Sequence, residues 1–167
     1  MGAIFTAYNC AIDAATGQMA GTSYAAGAKV AIQLVPSAND YLRVIEYGVS
    51  FSGTAAAAPS VVSLAQSSAA ATGLTTHSTS TIMPVGDLAK TSTLQMGTAL
   101  SGYGAVSIVT NTTQRQYAGA LVSPMTQYEK QLPLGRDFVV TAGAFLQLRI
   151  NTAATYTAIA YIIFEEN

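Results

Sequence analysis

Residues 42–51, LRVIEYGVSF, carry an alternation of side chains from which the fold class of this 167-residue chain can be inferred. In an extended strand, successive side chains point to opposite faces of a sheet. One face of this stretch holds Arg43, Ile45, Tyr47, Val49 and Phe51, and the residues between them form the other face. The alternation is rich in β-branched and aromatic residues and ends near Gly53, so it predicts a β-strand.

Eight other short stretches have a similar length and composition and are separated by turn-forming residues. They are residues 29–34, 61–64, 79–83, 105–111, 117–122, 138–141, 146–150 and 156–164. The last stretch is apolar on both faces, which predicts a central or covered strand. Nine short strands and no convincing amphipathic helix predict an all-β chain that folds as an antiparallel β-sandwich.

Three segments lack this alternation. Residues 1–27 are small, neutral and rich in glycine, which predicts an extended N-terminal arm that becomes ordered only against a neighbouring molecule. The predicted sandwich domain comprises residues 28–167. Residues 87–104 and 124–136 are predicted to be long loops, and the second of them combines backbone-restricting prolines with polar side chains, as functional loops on rigid β scaffolds do.

The composition is poor in charge. Only 9% of the residues are charged and 50% are hydrophobic, with seven basic and eight acidic side chains, whereas about 25% of an average soluble chain is charged. A monomer of this size is expected to expose about 7,800 Å². A surface of that area with so few charges is typical of a protein that is covered by copies of itself or by a partner.

Composition also disfavours several classes of function. No run of Lys or Arg is present to neutralise phosphates, so a nucleic-acid partner is not expected. The longest apolar run, near residues 158–164, is far shorter than the about 20 residues of a transmembrane helix. The N-terminus has no basic segment and does not have the pattern of a signal peptide.

Candidate catalytic and metal-binding residues are few. The single histidine, His77, lies in a polar stretch and is predicted to be a solvated loop residue, and the single cysteine, Cys10, is predicted to be buried or a free thiol. One His and one Cys do not make a zinc centre, and neither a GxSxG nucleophile elbow nor a glycine-rich phosphate loop occurs in the sequence. We therefore expect no metal, no cofactor and no enzymatic activity. Glu46 lies within a predicted strand, where a salt bridge to Arg43 or Arg149 is expected rather than a glycosidase pair of carboxylates.

Three stretches resemble a known family. They are YLRVIEYGVSFSG (41–53), RQYAGALVSPMTQYEKQLPLGRDFVVTAGAFLQLRI (115–150) and YTAIAYIIFEE (156–166). In their order they resemble the jelly-roll head decoration, or cement, proteins of tailed bacteriophages. The resemblance implies a jelly-roll sandwich that is made in the host bacterial cytoplasm. It also implies a homotrimer on the outer surface of the virion capsid, where it clamps neighbouring major capsid subunits.

The interpretation as a decoration protein also suggests candidate interface residues. Tyrosine combines a large contact area with a hydrogen-bonding tip, and the predicted arm and second loop supply Tyr8, Tyr24, Tyr128, Glu129, Lys130 and Arg136. An alternative function is a tail-fibre or lectin-like module that binds a host glycan. In that case residues 39–41, Tyr103 and residues 111–116 supply the exposed aromatic and amide groups.

Overall fold

The computed structural model describes residues 2–52, 58–96, 100–109, 113–133 and 135–167. Within them every regular element is a β-strand. The thirteen strands are β1 (Ala3–Tyr8), β2 (Thr22–Tyr24), β3 (Gly27–Leu34), β4 (Tyr41–Ser52), β5 (Ser60–Ser67), β6 (Thr75–Thr76), β7 (Ile82–Pro84), β8 (Gly102–Ser107), β9 (Thr113–Val122), β10 (Gln127–Gln131), β11 (Phe138–Thr141), β12 (Phe145–Thr152) and β13 (Tyr156–Glu166). No helix among the described residues has the length and apolarity that crossing a membrane requires.

The strands form two antiparallel sheets, so the predicted all-β sandwich is confirmed. The first sheet has the order β10-β4-β13-β1-β7, with β11 also beside β4 and β2 beside β13. The second sheet has the order β6-β8-β3-β12-β5-β9. Four strand pairs enclose one another along the chain, from the outermost pair β1–β13 through β3–β12 and β4–β10 to the innermost pair β5–β9. Such an order of pairing is compatible with a jelly roll.

The core lies between the sheets and is built from one face of each long strand. In β13, Ala158, Ala160, Ile162 and Phe164 point inward and are fully or almost fully buried. This strand pairs with β4 on one side and β1 on the other, which confirms the prediction of a central strand. Leu146, Leu148 and Ile150 of β12 form the opposite wall of the core.

The predicted faces of β4 are correct only beyond its bulge. Ile163 pairs with Glu46 whereas the next residue of β13 pairs with Val44, so Ile45 is an extra residue. Such a β-bulge reverses the alternation on either side of it. Leu42 and Val44 therefore face the core before the bulge, and Tyr47, Val49 and Phe51 face it afterwards. The expectation that Arg43 and Ile45 share the face of Tyr47 is wrong.

The N-terminal segment is part of the sandwich. β1 lies between β13 and β7 in the first sheet, and β2 pairs with residues 156–158. Phe5 and Ala7 are buried in the core, where the ring of Phe5 stacks on Phe164 with centroids 5.9 Å apart. An arm that becomes ordered only against a neighbour is therefore the wrong description of these two strands. The alternation of residues 3–8 orders them against the chain's own last strand.

Candidate interaction surface

Four of the six predicted interface residues lie on one side of the sandwich. We call this side, formed by β9 of the second sheet with β10 and β11 of the first, the open side. β9 ends the second sheet, while β10 and β11 lie along the outer edge of β4. The ring of Tyr117 stacks on Phe138 with centroids 4.7 Å apart, and its hydroxyl donates to the Val139 carbonyl at 3.3 Å. These contacts hold the two sheet edges together.

Tyr128 anchors β10 to this side. It lies opposite Val49 in the β10–β4 pairing, and its hydroxyl oxygen is 3.5 Å from that of Tyr47. Burial raises the pKa of Tyr47, and its contact with Tyr128 raises it further. Tyr128 itself is half-buried. It therefore fixes the strand in place while leaving part of its ring accessible.

The three charged candidates on this side are exposed. Glu129 lies opposite Gly48, and its carboxylate accepts a hydrogen bond from the Gln127 amide. Lys130 follows on the opposite face of β10. Arg136 leaves a turn in which its backbone N–H donates to the Pro133 carbonyl at 2.9 Å. The segment predicted to be a loop, residues 124–136, thus contains a five-residue strand that presents its charges to solvent.

The two candidates in the N-terminal segment differ from each other. Tyr24 is fully buried, and its hydroxyl accepts a hydrogen bond from the Asn9 side chain at 2.7 Å, so it does not contribute to a surface. Tyr8 is half-buried on the outer face of the first sheet, opposite Tyr161. Tyr161 is in turn opposite Gly48, which is opposite Glu129. Tyr8 and Glu129 therefore share one row, about 14 Å apart across three strand spacings.

A polar cluster occupies the middle of this row. The Tyr161 hydroxyl donates to a Glu46 carboxylate oxygen at 2.6 Å. Burial raises the pKa of Tyr161, and the Glu46 and Glu129 carboxylates raise it further. The predicted salt bridge from Glu46 to Arg43 or Arg149 is wrong. Arg43 pairs instead with Asp137 at 3.4 Å and Glu165 at 3.5 Å.

Gly48 makes this cluster possible because the Tyr161 ring lies against it. A Cβ atom at position 48 would lie 2.5 Å from Tyr161 Cε1. We expect Gly48→Ala to displace the ring from Glu46 and to lower the free energy of unfolding by about 2 kcal/mol, as overpacking does. Chemical denaturation measures this change. Gly119→Ala is the control, because a Cβ atom at this strand glycine would lie 3.8 Å from its nearest neighbour, Gln116 Nε2, and this substitution should be close to neutral. A similar loss of stability in both variants would show that the contact of the Tyr161 ring with Gly48 does not cause the effect.

His77 is not the solvated residue that its polar surroundings predict. Its side chain is 2% exposed, and its ring lies against Tyr103 with centroids 5.2 Å apart. Nδ1 is 3.0 Å from the Thr81 hydroxyl, while Nε2 has no hydrogen-bond partner among the described residues. Burial lowers the pKa of His77 to about 3. The neutral ring is therefore the form that the fold accommodates.

This burial makes stability depend on pH. The unfolded chain takes up a proton on His77 near its ordinary pKa of about 6.5, whereas the folded chain takes it up only near 3. Stability is therefore lost as the pH falls through the interval between these values. At pH 5 the stability lost through His77, relative to pH values above 6.5, amounts to about 2 kcal/mol. Unfolding curves at pH 7 and pH 5 should show a smaller loss for His77→Gln than for the natural chain, and equal losses would exclude the effect.

The remaining candidates have simple locations. Cys10 is a free, buried thiol, as predicted, and burial raises its pKa. Of the residues proposed for glycan binding, Tyr41 is 37% exposed and Tyr103 is half-buried against His77. Residues 111 and 112 lie outside the described residues. Among the residues that are described, no three His, Cys, Asp or Glu side chains are grouped so that they could hold a metal ion.

The open side also carries apolar residues that the sequence pattern did not single out. Leu121 at the end of β9 is 75% exposed and Met125 in the following turn is 58% exposed. The whole chain exposes 7906 Å², or about 530 Å² for each of its fifteen charged side chains.

Comparison of the chain with family models, with curated proteins and with solved structures finds no match, and its function is therefore inferred from its own residues.

Proposed function

We propose that this chain is a structural virion protein, a homotrimer that decorates an icosahedral phage capsid and stabilises it by binding the assembled major capsid protein. The observation that carries the proposal is the sparsely charged surface of a two-sheet sandwich, with about 530 Å² for each charge. Few charges mean little electrostatic repulsion and little desolvation of ions when large areas are covered. The jelly-roll-compatible strand order supports the same proposal.

Stabilisation by such a protein follows from mass action. A protein that binds the assembled shell, and not the separate subunits, lowers the free energy of the shell by the free energy of binding. A trimer that contacts several subunits at once adds avidity to each modest contact. The strands and turns of the open side present exposed Leu121 and Met125 as well as exposed Glu129, Lys130 and Arg136, an apolar and polar mixture of the kind found at protein interfaces.

Co-sedimentation tests this proposal. The protein is mixed with empty shells of the phage whose genome encodes it, and in parallel with the unassembled capsid subunits. We expect saturable binding to the shells, none to the subunits, and the mass of a trimer by light scattering. A protein that is monomeric at high concentration and remains in the supernatant with shells would contradict it.

A second candidate function is glycan binding by a tail-fibre or lectin-like module. One observation favours it: the Glu46 and Glu129 carboxylates lie near the Tyr161 hydroxyl on the outer face of the first sheet, and Glu46 accepts its hydrogen bond at 2.6 Å. Aromatic rings and carboxylates are the groups that bind sugar faces and hydroxyls. A glycan array with competable binding that is lost in Tyr161→Ala would support this function over capsid decoration.

A further inference from the structure

A cavity opens on the outer face of the first sheet, beside the bulge of β4. It has a volume of about 440 Å³ and is bounded on one side by the connection from β10 to β11. This volume lies within the range of about 300–1,000 Å³ that is usual for ligand pockets. Its apolar wall includes Ile4, Ile45 and Leu132. The cavity therefore has room for one long side chain of a partner.

The bulge of β4 builds this cavity. With unbroken alternation, the face that turns Tyr47 into the core would also turn Arg43 inward. The extra residue, Ile45, places Arg43 on the outer face instead, opposite Glu165 in the β4–β13 pairing. The carbonyl of Ile45 accepts the Leu132 N–H at 2.8 Å, which fixes the β10–β11 connection beside the cavity. The walls are thus held by backbone pairing.

Two carboxylates that line the cavity are buried more deeply than they are bonded. The side chains of Asp137 and Glu165 are 10% and 14% exposed. Their contacts with the Arg43 guanidinium measure 3.4 and 3.5 Å, whereas hydrogen bonds between such charged groups are about 2.7–2.9 Å long. Within the described part of the chain, the Asp137 carboxylate accepts no hydrogen bond and the buried Arg43 Nε donates none. Because an unsatisfied buried acceptor is costly, a donor that enters the cavity is favoured.

The charge at the cavity is negative. Two carboxylates and one guanidinium line it. Glu46 lies opposite Gln131, which also lines the cavity, and Glu129 follows on the same face of β10. Even with the exposed Arg136 of the connection included, four carboxylates face two cations. A complementary occupant carries positive charge, and the apolar wall suits the aliphatic stem of lysine or arginine.

We propose that this cavity receives a basic side chain, lysine or arginine, of the shell protein. Its stem packs against Ile4, Ile45 and Leu132, and its charged end donates to the Asp137 and Glu165 carboxylates. This inference rests on the proposed function and names the chemistry of one contact. The cavity adjoins the open side through the β10–β11 connection, so it is continuous with the surface on which the candidate interface residues lie.

Removal of one carboxylate tests the proposal by co-sedimentation with empty shells at constant salt. Asp137→Asn keeps the shape of the side chain and removes its charge, and we expect it to weaken shell binding at least tenfold. Glu165→Gln should weaken binding in the same direction. Asp13→Asn is the matched control, since Asp13 is an exposed carboxylate in the turn between β1 and β2, and it should change binding less than threefold. Denaturation curves establish that each variant is folded under the assay conditions.

Arg43→Gln distinguishes a cationic occupant from an anionic one. Arg43 competes with an incoming cation for the two carboxylates, so we expect its removal to strengthen shell binding at least threefold. Weaker binding in Arg43→Gln with undiminished binding in Asp137→Asn would assign the cavity to an anion and overturn the proposal.

The remaining outcomes separate this inference from the function on which it rests. Shell binding that is equal in the natural chain, Asp137→Asn and Glu165→Gln would overturn the inference and leave capsid decoration standing. A loss of the oligomer in Asp137→Asn, measured by light scattering, would assign the cavity to a second copy of this chain and also overturn it. Absence of any shell binding by the natural chain would contradict the proposed function and this inference with it.

Discussion

Replacing Asn9 with alanine is expected to lower the free energy of unfolding by about 4 kcal/mol. The Asn9 side chain is fully buried and makes three hydrogen bonds. Its Nδ2 donates to the Tyr24 hydroxyl at 2.7 Å and to the Ala158 carbonyl at 3.0 Å, and its Oδ1 accepts from the Ala160 N–H at 2.8 Å. Truncation leaves all three partners buried without this bond, and each unsatisfied group costs about 1–3 kcal/mol.

Chemical denaturation at constant pH measures this loss. Asn151→Ala, at an exposed position of β12, is the matched control and should change stability by less than about 0.5 kcal/mol. A cycle with Tyr24→Phe should give a coupling energy of about 1–2 kcal/mol, because the two side chains share one hydrogen bond. Additive effects of the two substitutions would show that Asn9 does not attach the N-terminal segment in this way.

Replacing Gln147 with alanine is expected to have a similarly large effect, also about 4 kcal/mol. Gln147 is 1% exposed, and its Oε1 accepts from Arg149 Nε at 2.9 Å and from Arg149 Nη2 at 2.7 Å. Its Nε2 donates to Gln33 Oε1 at 2.7 Å. Arg149 is itself 8% exposed, and its remaining described bond is to the Thr113 hydroxyl at 2.6 Å. Without Gln147, most of a buried guanidinium loses its acceptor.

The comparison that isolates this effect uses the partner residue. Arg149→Met should lower the free energy of unfolding much less in the Gln147→Ala background than in the natural chain. In the Gln147→Ala variant the guanidinium has already lost its main acceptor, and Arg149→Met removes that unsatisfied charge. Gln116→Ala, at an exposed glutamine of β9, should lower stability by no more than about 0.5 kcal/mol. If Gln147→Ala is as mild as Gln116→Ala, the guanidinium has found another acceptor and the account of this network is wrong.

The strands with clear alternation were predictable from the sequence. β4, β12 and β13 alternate large apolar residues with others, and all three lie where the pattern places a half-buried or central strand. β1 and β10 were missed for different reasons. The alternation of β1 is short and lies within a glycine-rich segment, and β10 has one apolar residue in five and is ordered by its pairing with β4.

The polar interior was not predictable because it depends on long-range partners. Asn and Gln are mostly exposed in folded proteins and His is intermediate, and the sequence neighbours of Asn9, Gln147 and His77 give no sign that these three are buried. The bulge at Ile45 likewise arises from the pairing of β4 with β13.

At the candidate surface, the sequence indicated Tyr128, Glu129, Lys130 and Arg136. The exposure of Leu121 and the position of β9 at the edge of the second sheet became visible only with the structure.

The most direct measurement of capsid decoration is the temperature at which empty shells disrupt, recorded by scanning calorimetry with and without the protein. At a free concentration about a hundredfold above the dissociation constant, each binding site stabilises the shell by about 2.7 kcal/mol. The disruption temperature should therefore rise by several degrees and saturate as the sites fill. An unchanged disruption temperature at saturating protein would contradict capsid stabilisation as the function of this chain.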